Sequence, residues 1–170
     1  IHMEVGQPST AAPSGALERT SQIIKSNPLG YTVALGLPEL RKKISDLYGR
    51  WYNLDLDPAR VIITSGSSGA FILSFTALFD AGARVGIGAP GYPSYRQILK
   101  SLGVLPIDIE TNFENKFQPT KNDIVSQNLD GLLVASPSNP TGTMLSNDEL
   151  VNLIDTTHSI GASFISDEIY

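Results

Sequence analysis

The sequence predicts an α/β protein with a mostly parallel sheet and helices on both of its faces. From residue 59 onward, short apolar runs typical of strands alternate with longer segments whose apolar residues recur at helical spacing. Each intervening segment is long enough for a crossover helix, so neighbouring strands are expected to run parallel. The composition, 41% hydrophobic and 17% charged over 170 residues, is that of a globular chain with a sizeable core.

Before residue 59 the sequence predicts an extended arm and two helices. Residues 1–3 are interpreted as an expression remnant, and residues 4–30 as the arm with a short helix over Ala16–Ser26. Pro38 suits the first turn of a longer helix whose apolar residues continue to Tyr52.

The rest of the chain reads as strand and helix units in succession. Strands are predicted over 61–64, 84–87, 104–109, 131–135 and 163–165, and helices over 68–79, 94–102, 119–127 and 147–160. In sheets of this kind, ligands bind just beyond the carboxyl ends of the strands. The loops at those ends are therefore the candidate functional sites.

Four of these loops carry suggestive chemistry. Thr64–Ala70 offers small residues, hydroxyls and a helix N-terminus, which together suit a phosphate. Ala89–Tyr95 holds a tyrosine on a stiff proline turn, and Ser136–Gly142 presents an amide between two prolines whose bonds are candidates for cis. Ser166–Tyr170 places a carboxylate and a phenol after an apolar strand.

Each of these loops, taken singly, also has a structural interpretation. A serine-capped helix, a packing tyrosine, an ordinary strand-to-helix loop and a salt-bridged aspartate explain them one by one. Together, a phosphate cradle, a stacking ring, an amide, an acid and a phenol match a planar, phosphorylated, nitrogen-containing cofactor. Pyridoxal 5'-phosphate is such a molecule.

At this point the sequence resembles the class I/II aminotransferases of fold type I, over nearly the whole chain from Gly6 to Tyr170. The resemblance rests on five motifs in family order, which are Tyr31-Thr32 with Gly36–Arg41, Gly66–Ala70, Pro90–Tyr95, Ser136–Gly142 and Ser166–Tyr170. It implies that residues 31–170 form part of the large domain that binds pyridoxal phosphate.

The resemblance also implies a role for each residue that matches a family motif. It assigns the cofactor phosphate to Ser67, Ser68 and Gly69, and ring stacking to Tyr92. It assigns the ring nitrogen to Asp167, because an ion pair there keeps the ring cationic.

The remaining implied roles concern the cofactor's phenolic oxygen and the edges of the site. Asn139 and Tyr170 match the two residues that bond this oxygen. Tyr31 matches a tyrosine that reaches the cofactor phosphate of a neighbouring subunit, which implies a homodimer with shared sites. Gly6 matches the arm that closes over the substrate carboxylate.

The lysine that forms the Schiff base in this family has no counterpart here. None of the chain's six lysines follows the Asp167-Glu168-Ile169-Tyr170 motif, so the anchoring lysine is expected beyond Tyr170. The substrate-binding arginine is expected there too. No catalytic residue is assigned within the chain, which is interpreted as an N-terminal portion without activity of its own.

The resemblance implies transfer of an amino group between an amino acid and a 2-oxo acid, in amino acid metabolism. Two alternatives remain: a lyase, decarboxylase or synthase that uses the same cofactor site, and the aminotransferase-like effector domain of a transcription regulator. The net charge of −5 without a basic cluster argues against nucleic-acid binding. No apolar run approaches the ~18 residues of a membrane span, no metal-ligand spacing is present, and a cytoplasmic location is expected.

Overall fold

A computed structural model describes residues 9–170, which divide into two compact units, one ending at Ile63 and the other spanning Thr64–Tyr170. The first unit contains helices α1 (Ser14–Ser26) and α2 (Pro38–Tyr52) and a short 3₁₀ turn at Pro58–Arg60. Both helices were predicted.

The first unit also overturns one prediction, the strand over 61–64. This segment is not a strand, although Ile63 N–H donates to the Leu35 carbonyl at 3.1 Å. A strand requires a ladder of such bonds to a neighbour, and this segment has no paired strand among residues 9–170. Apolar, β-branched composition alone was therefore misleading here. Trp51 on α2 is 67% exposed and so does not belong to a core of the described residues.

The second unit contains four strands, β1 (Arg84–Ala89), β2 (Leu105–Glu110), β3 (Gly131–Ala135) and β4 (Ser163–Asp167). They form a parallel sheet in the order β2-β1-β3-β4. The helices between and before them are α3 (Gly66–Leu78), α4 (Pro93–Ser101), α5 (Lys121–Val125) and α6 (Asn147–Ser159). The predicted fold class is confirmed, and the boundaries differ from prediction by a few residues.

Two hydrophobic clusters flank the sheet. One contains Leu133 of β3 with residues of α3 and α4, and the other contains Leu132 with residues of α5 and α6. Because successive side chains of a strand point to opposite faces, these neighbours place one cluster on each side of the sheet. The helices therefore cover both faces, as the sequence predicts.

Close packing on the sheet depends on a glycine at the start of β3. A Cβ atom on Gly131 would lie 2.3 Å from Cζ of Phe79, a buried residue that follows α3. No real Cβ atom makes so short a contact, so the ring occupies the space that a side chain at residue 131 would take.

Within residues 9–170, no helix has the length and apolar character needed to cross a lipid bilayer.

Candidate functional site

The carboxyl ends of β1, β3 and β4 and the first turn of α3 surround a cavity of about 140 Å³. Five of its lining residues were predicted from sequence as cofactor ligands. The complete lining comprises Ser67, Tyr92, Tyr95, Ala135, Pro137, Asn139, Asp167, Ile169 and Tyr170. Parallel strands bring these residues together because their carboxyl ends share one edge of the sheet.

The N-terminus of α3 forms one wall of the cavity. Gly66 begins the helix with φ +75°, a conformation that favours glycine, and the N-cap residue Ser65 makes no side-chain capping bond. Backbone N–H groups of the first turn therefore remain for another acceptor. Ser67 lines the cavity, whereas Ser68 is exposed and Gly69 is half-buried, and neither of these two is in the lining.

Tyr92 stands at the N-cap of α4, directly before Pro93 at the first helical position. Its side chain is half-buried, and its ring meets that of Tyr95 edge-on with centroids 5.4 Å apart. Pro93 fixes the entry into the helix because its φ is already helical. The motif thus holds the Tyr92 ring at the cavity wall.

Asp167, the last residue of β4, lies half-buried at the cavity floor. Its Oδ1 accepts from the Ile169 N–H at 3.2 Å, and its Oδ2 accepts from the phenol of Tyr95. Two donors on one carboxylate fix its orientation.

Tyr95 is a site residue that sequence reasoning missed. It is 4% exposed, and its ring packs edge-on against Phe71 with centroids 5.0 Å apart. Burial raises the pKa of the Tyr95 phenol far above its ordinary value, and the hydrogen bond to the Asp167 carboxylate and the negative charge there raise it further. The phenol therefore keeps its proton and remains a hydrogen-bond donor to Asp167. The available signal was its position three residues after Tyr92, on the same helical face.

The turn Ser136–Gly142 carries Asn139 into the cavity. Ser136-Pro137 and Asn139-Pro140 are both cis peptides, as proposed from the sequence, and Ala89-Pro90 is a third. Ser138 N–H donates to the Thr143 carbonyl at 2.9 Å and closes the turn internally. The turn is also tied to β4, since Ser136 N–H donates to the Asp167 carbonyl at 3.1 Å. Asn139 and Asp167 are thus held on one hydrogen-bonded frame.

The other predicted residues differ in how far the structure describes them. Tyr170 lines the cavity with most of its side chain exposed. Tyr31 belongs to the first unit and is fully exposed, so its predicted contact with another subunit stays a prediction. Gly6 lies outside the described residues. Residues 9–170 contain no group of three or more His, Asp or Glu side chains placed to hold a metal ion.

The family described as "Aminotransferase class I and II" matches residues 1–170, and the chain belongs to this family. A valine–pyruvate aminotransferase of Mycobacterium tuberculosis is 42% identical over 172 residues, covering 100% of this chain and 44% of the relative.

Solved structures agree with this assignment. A crystal structure from Silicibacter pomeroyi is 57% identical with a TM-score of 0.90, covering 100% of this chain and 43% of its own. An aminotransferase from Mycobacterium tuberculosis is 43% identical with a TM-score of 0.94, covering 98% of this chain and 46% of its own. The chain thus spans under half the length of these relatives.

Proposed function

We propose that this chain supplies most of the pyridoxal 5'-phosphate site of an aminotransferase that moves an amino group between an amino acid and a 2-oxo acid. The observation that carries the proposal is the single cavity lined by Ser67, Tyr92, Asn139, Asp167 and Tyr170. Four separate loops contribute these side chains, and each residue type suits a different part of the same cofactor.

Two parts of the cavity lining differ in electrostatic character. The N-terminus of α3 with the Ser67 hydroxyl offers hydrogen-bond donors and the positive end of a helix dipole, which suit a phosphate. Asp167 offers a carboxylate that already has two donors and retains capacity for a third. A protonated ring nitrogen is the partner that would complete it.

The other predicted side chains of the lining suit the ring itself. Tyr92 provides an aromatic surface held by Pro93. Asn139 and Tyr170 provide an amide N–H and a phenol O–H that can donate to a ring oxygen. These donor types fit pyridoxal phosphate in number and in chemical character.

When bound, pyridoxal phosphate acts as an electron sink for negative charge at the substrate α-carbon. In the proposal, Asp167 holds the ring nitrogen's proton, and Tyr95 holds Asp167 in place. No lysine lines the cavity, so the covalent anchor is proposed to come from a residue outside this chain. The same proposal includes a homodimer in which Tyr31 and Gly6 contribute to a shared site.

The test uses the full-length protein. Purified protein should bind pyridoxal phosphate with a visible absorption band and should transaminate, with valine and pyruvate as the first substrates tried. Asp167→Ala should reduce turnover by orders of magnitude and keep the far-ultraviolet circular dichroism spectrum. Asp155→Ala is the matched control, because Asp155 is exposed on α6.

Two results would contradict the proposal. One is a protein that binds no pyridoxal phosphate, and the other is full turnover in Asp167→Ala. Release of ammonia or carbon dioxide without an amino acid product would instead support the lyase or decarboxylase alternative.

A further inference from the structure

The connection from β2 to α5 contains an unusual backbone turn. Lys116 and Phe117 both have φ of +55°, in the left-handed region that non-glycine residues rarely adopt. Two such residues in succession cost free energy and persist only where the surroundings hold them. The turn is held by Asn112, whose carbonyl accepts from the Phe117 N–H at 2.7 Å.

This turn places Gln118 inside the protein. Gln118 is 4% exposed, one of few buried polar side chains of the described residues. Its Nε2 donates to the Ala135 carbonyl at 3.1 Å and to the Thr143 carbonyl at 3.1 Å. An amide nitrogen carries two hydrogens, so both are used.

The two acceptors stand on either side of the turn that carries Asn139. Ala135 ends β3 directly before the turn Ser136–Gly142, and Thr143 directly follows it. Gln118 therefore bridges the entry of this turn to its exit. It also lines, together with Asn139, a small cavity of about 20 Å³, which leaves little room for the turn to shift.

We propose that Gln118 is a positioning residue that clasps the Ser136–Gly142 turn and thereby fixes the Asn139 amide in the cofactor cavity. The inference rests on the proposed function for the part that concerns the cofactor. The clasp itself concerns only this chain's backbone, so it can be tested without the cofactor.

Gln118→Glu is the sharpest variant because it keeps the side chain's shape and removes both donors. A carboxylate would then face two carbonyl oxygens in a buried position, which is repulsive. Gln97→Glu is the matched control, since Gln97 is exposed on α4 and undergoes the same chemical change.

The first readout is backbone hydrogen exchange in the full-length protein without cofactor. In Gln118→Glu, the amides of Ser138 and Gly142 should exchange at least about tenfold faster, because the loss of one neutral hydrogen bond alone accounts for roughly that factor and the variant removes two. The amides of Ile87 and Leu133 in the sheet should keep their wild-type rates. A role limited to global stability would instead accelerate all four amides together.

The second readout is the dissociation constant for pyridoxal phosphate. It should rise about tenfold in Gln118→Glu and stay unchanged in Gln97→Glu. Combination with Asn139→Ala should add little, because both changes act on the same contact. If Gln118→Glu does not fold, the same measurements are made on Gln118→Met, which removes the donors without adding charge.

Unchanged exchange at Ser138 and Gly142 would overturn the clasp. Faster exchange there with unchanged cofactor affinity would overturn its link to Asn139. A wild-type protein that binds no pyridoxal phosphate would refute the proposed function, and with it the link between Gln118 and Asn139. Titration of the wild-type protein with the cofactor identifies that outcome by itself.

Discussion

The hydrogen bond from Tyr95 to Asp167 allows a quantitative prediction. Tyr95→Phe removes the hydroxyl and keeps the ring, so the edge-on contacts with Phe71 and Tyr92 remain. A hydrogen bond to a charged group contributes about 1.5–3 kcal/mol. Because Asp167 is only half-buried and keeps the Ile169 N–H as a donor, the lower value applies. The free energy of unfolding should fall by about 1.5 kcal/mol.

Urea unfolding followed by circular dichroism measures this change, and the slope against urea concentration should stay constant. Tyr52→Phe is the control, because that side chain is 65% exposed and its hydroxyl should contribute less than about 0.5 kcal/mol. A double-mutant cycle with Asp167→Ala, which leaves no side-chain acceptor, isolates the pair and should give a coupling of about 1 kcal/mol. If Tyr95→Phe costs no more than Tyr52→Phe, or if the cycle is additive, the hydrogen bond does not stabilise Asp167 and the reasoning is wrong.

Three further predictions concern packing and pH. Gly131→Ala should lower the free energy of unfolding by about 1–3 kcal/mol, because its Cβ would displace the buried Phe79 ring; an unchanged melting temperature would contradict this. Hydrogen bonds from Ser146 hold the pKa of the Glu149 carboxyl below its ordinary value, so the stability that this helix cap contributes should be lost as pH falls below about 4.3. Ser146→Ala should cost about 1 kcal/mol at neutral pH. In acid, this variant should lose less of its free energy of unfolding than the wild-type protein does. The raised pKa of the Tyr95 phenol predicts that the free energy of unfolding falls as pH rises above about 10. Urea unfolding at alkaline pH should show a smaller fall in Tyr95→Phe than in the wild-type protein.

The βα units and four site loops could be predicted because their signals are local. Helical spacing in residues 68–79 and 147–160 and apolar runs at 131–135 and 163–165 indicate elements that the structure contains. Asp167 ends β4 and Asn139 lies in the turn that follows β3, so the parallel topology places both at the same edge.

Contacts between distant residues could not be predicted in this way. Tyr95 meets Asp167 across 72 positions of sequence, and Gln118 meets Ala135 and Thr143 across 17 and 25. The pairing of β1 with β3 and of β3 with β4 brings Tyr95 to Asp167, and the backbone turn before Gln118 brings that side chain to Ala135 and Thr143. The strand wrongly predicted at 61–64 has the same cause, since strand formation depends on a partner and not on composition alone.

The most direct test of the account is a crystal structure of the full-length protein with pyridoxal phosphate bound. We expect the pyridine ring against Tyr92, its nitrogen beside the Asp167 carboxylate, and its phosphate at the N-terminus of α3 near Ser67. Cofactor density outside this cavity, or a ring nitrogen that does not meet Asp167, would contradict the central claim that these loops form one cofactor site.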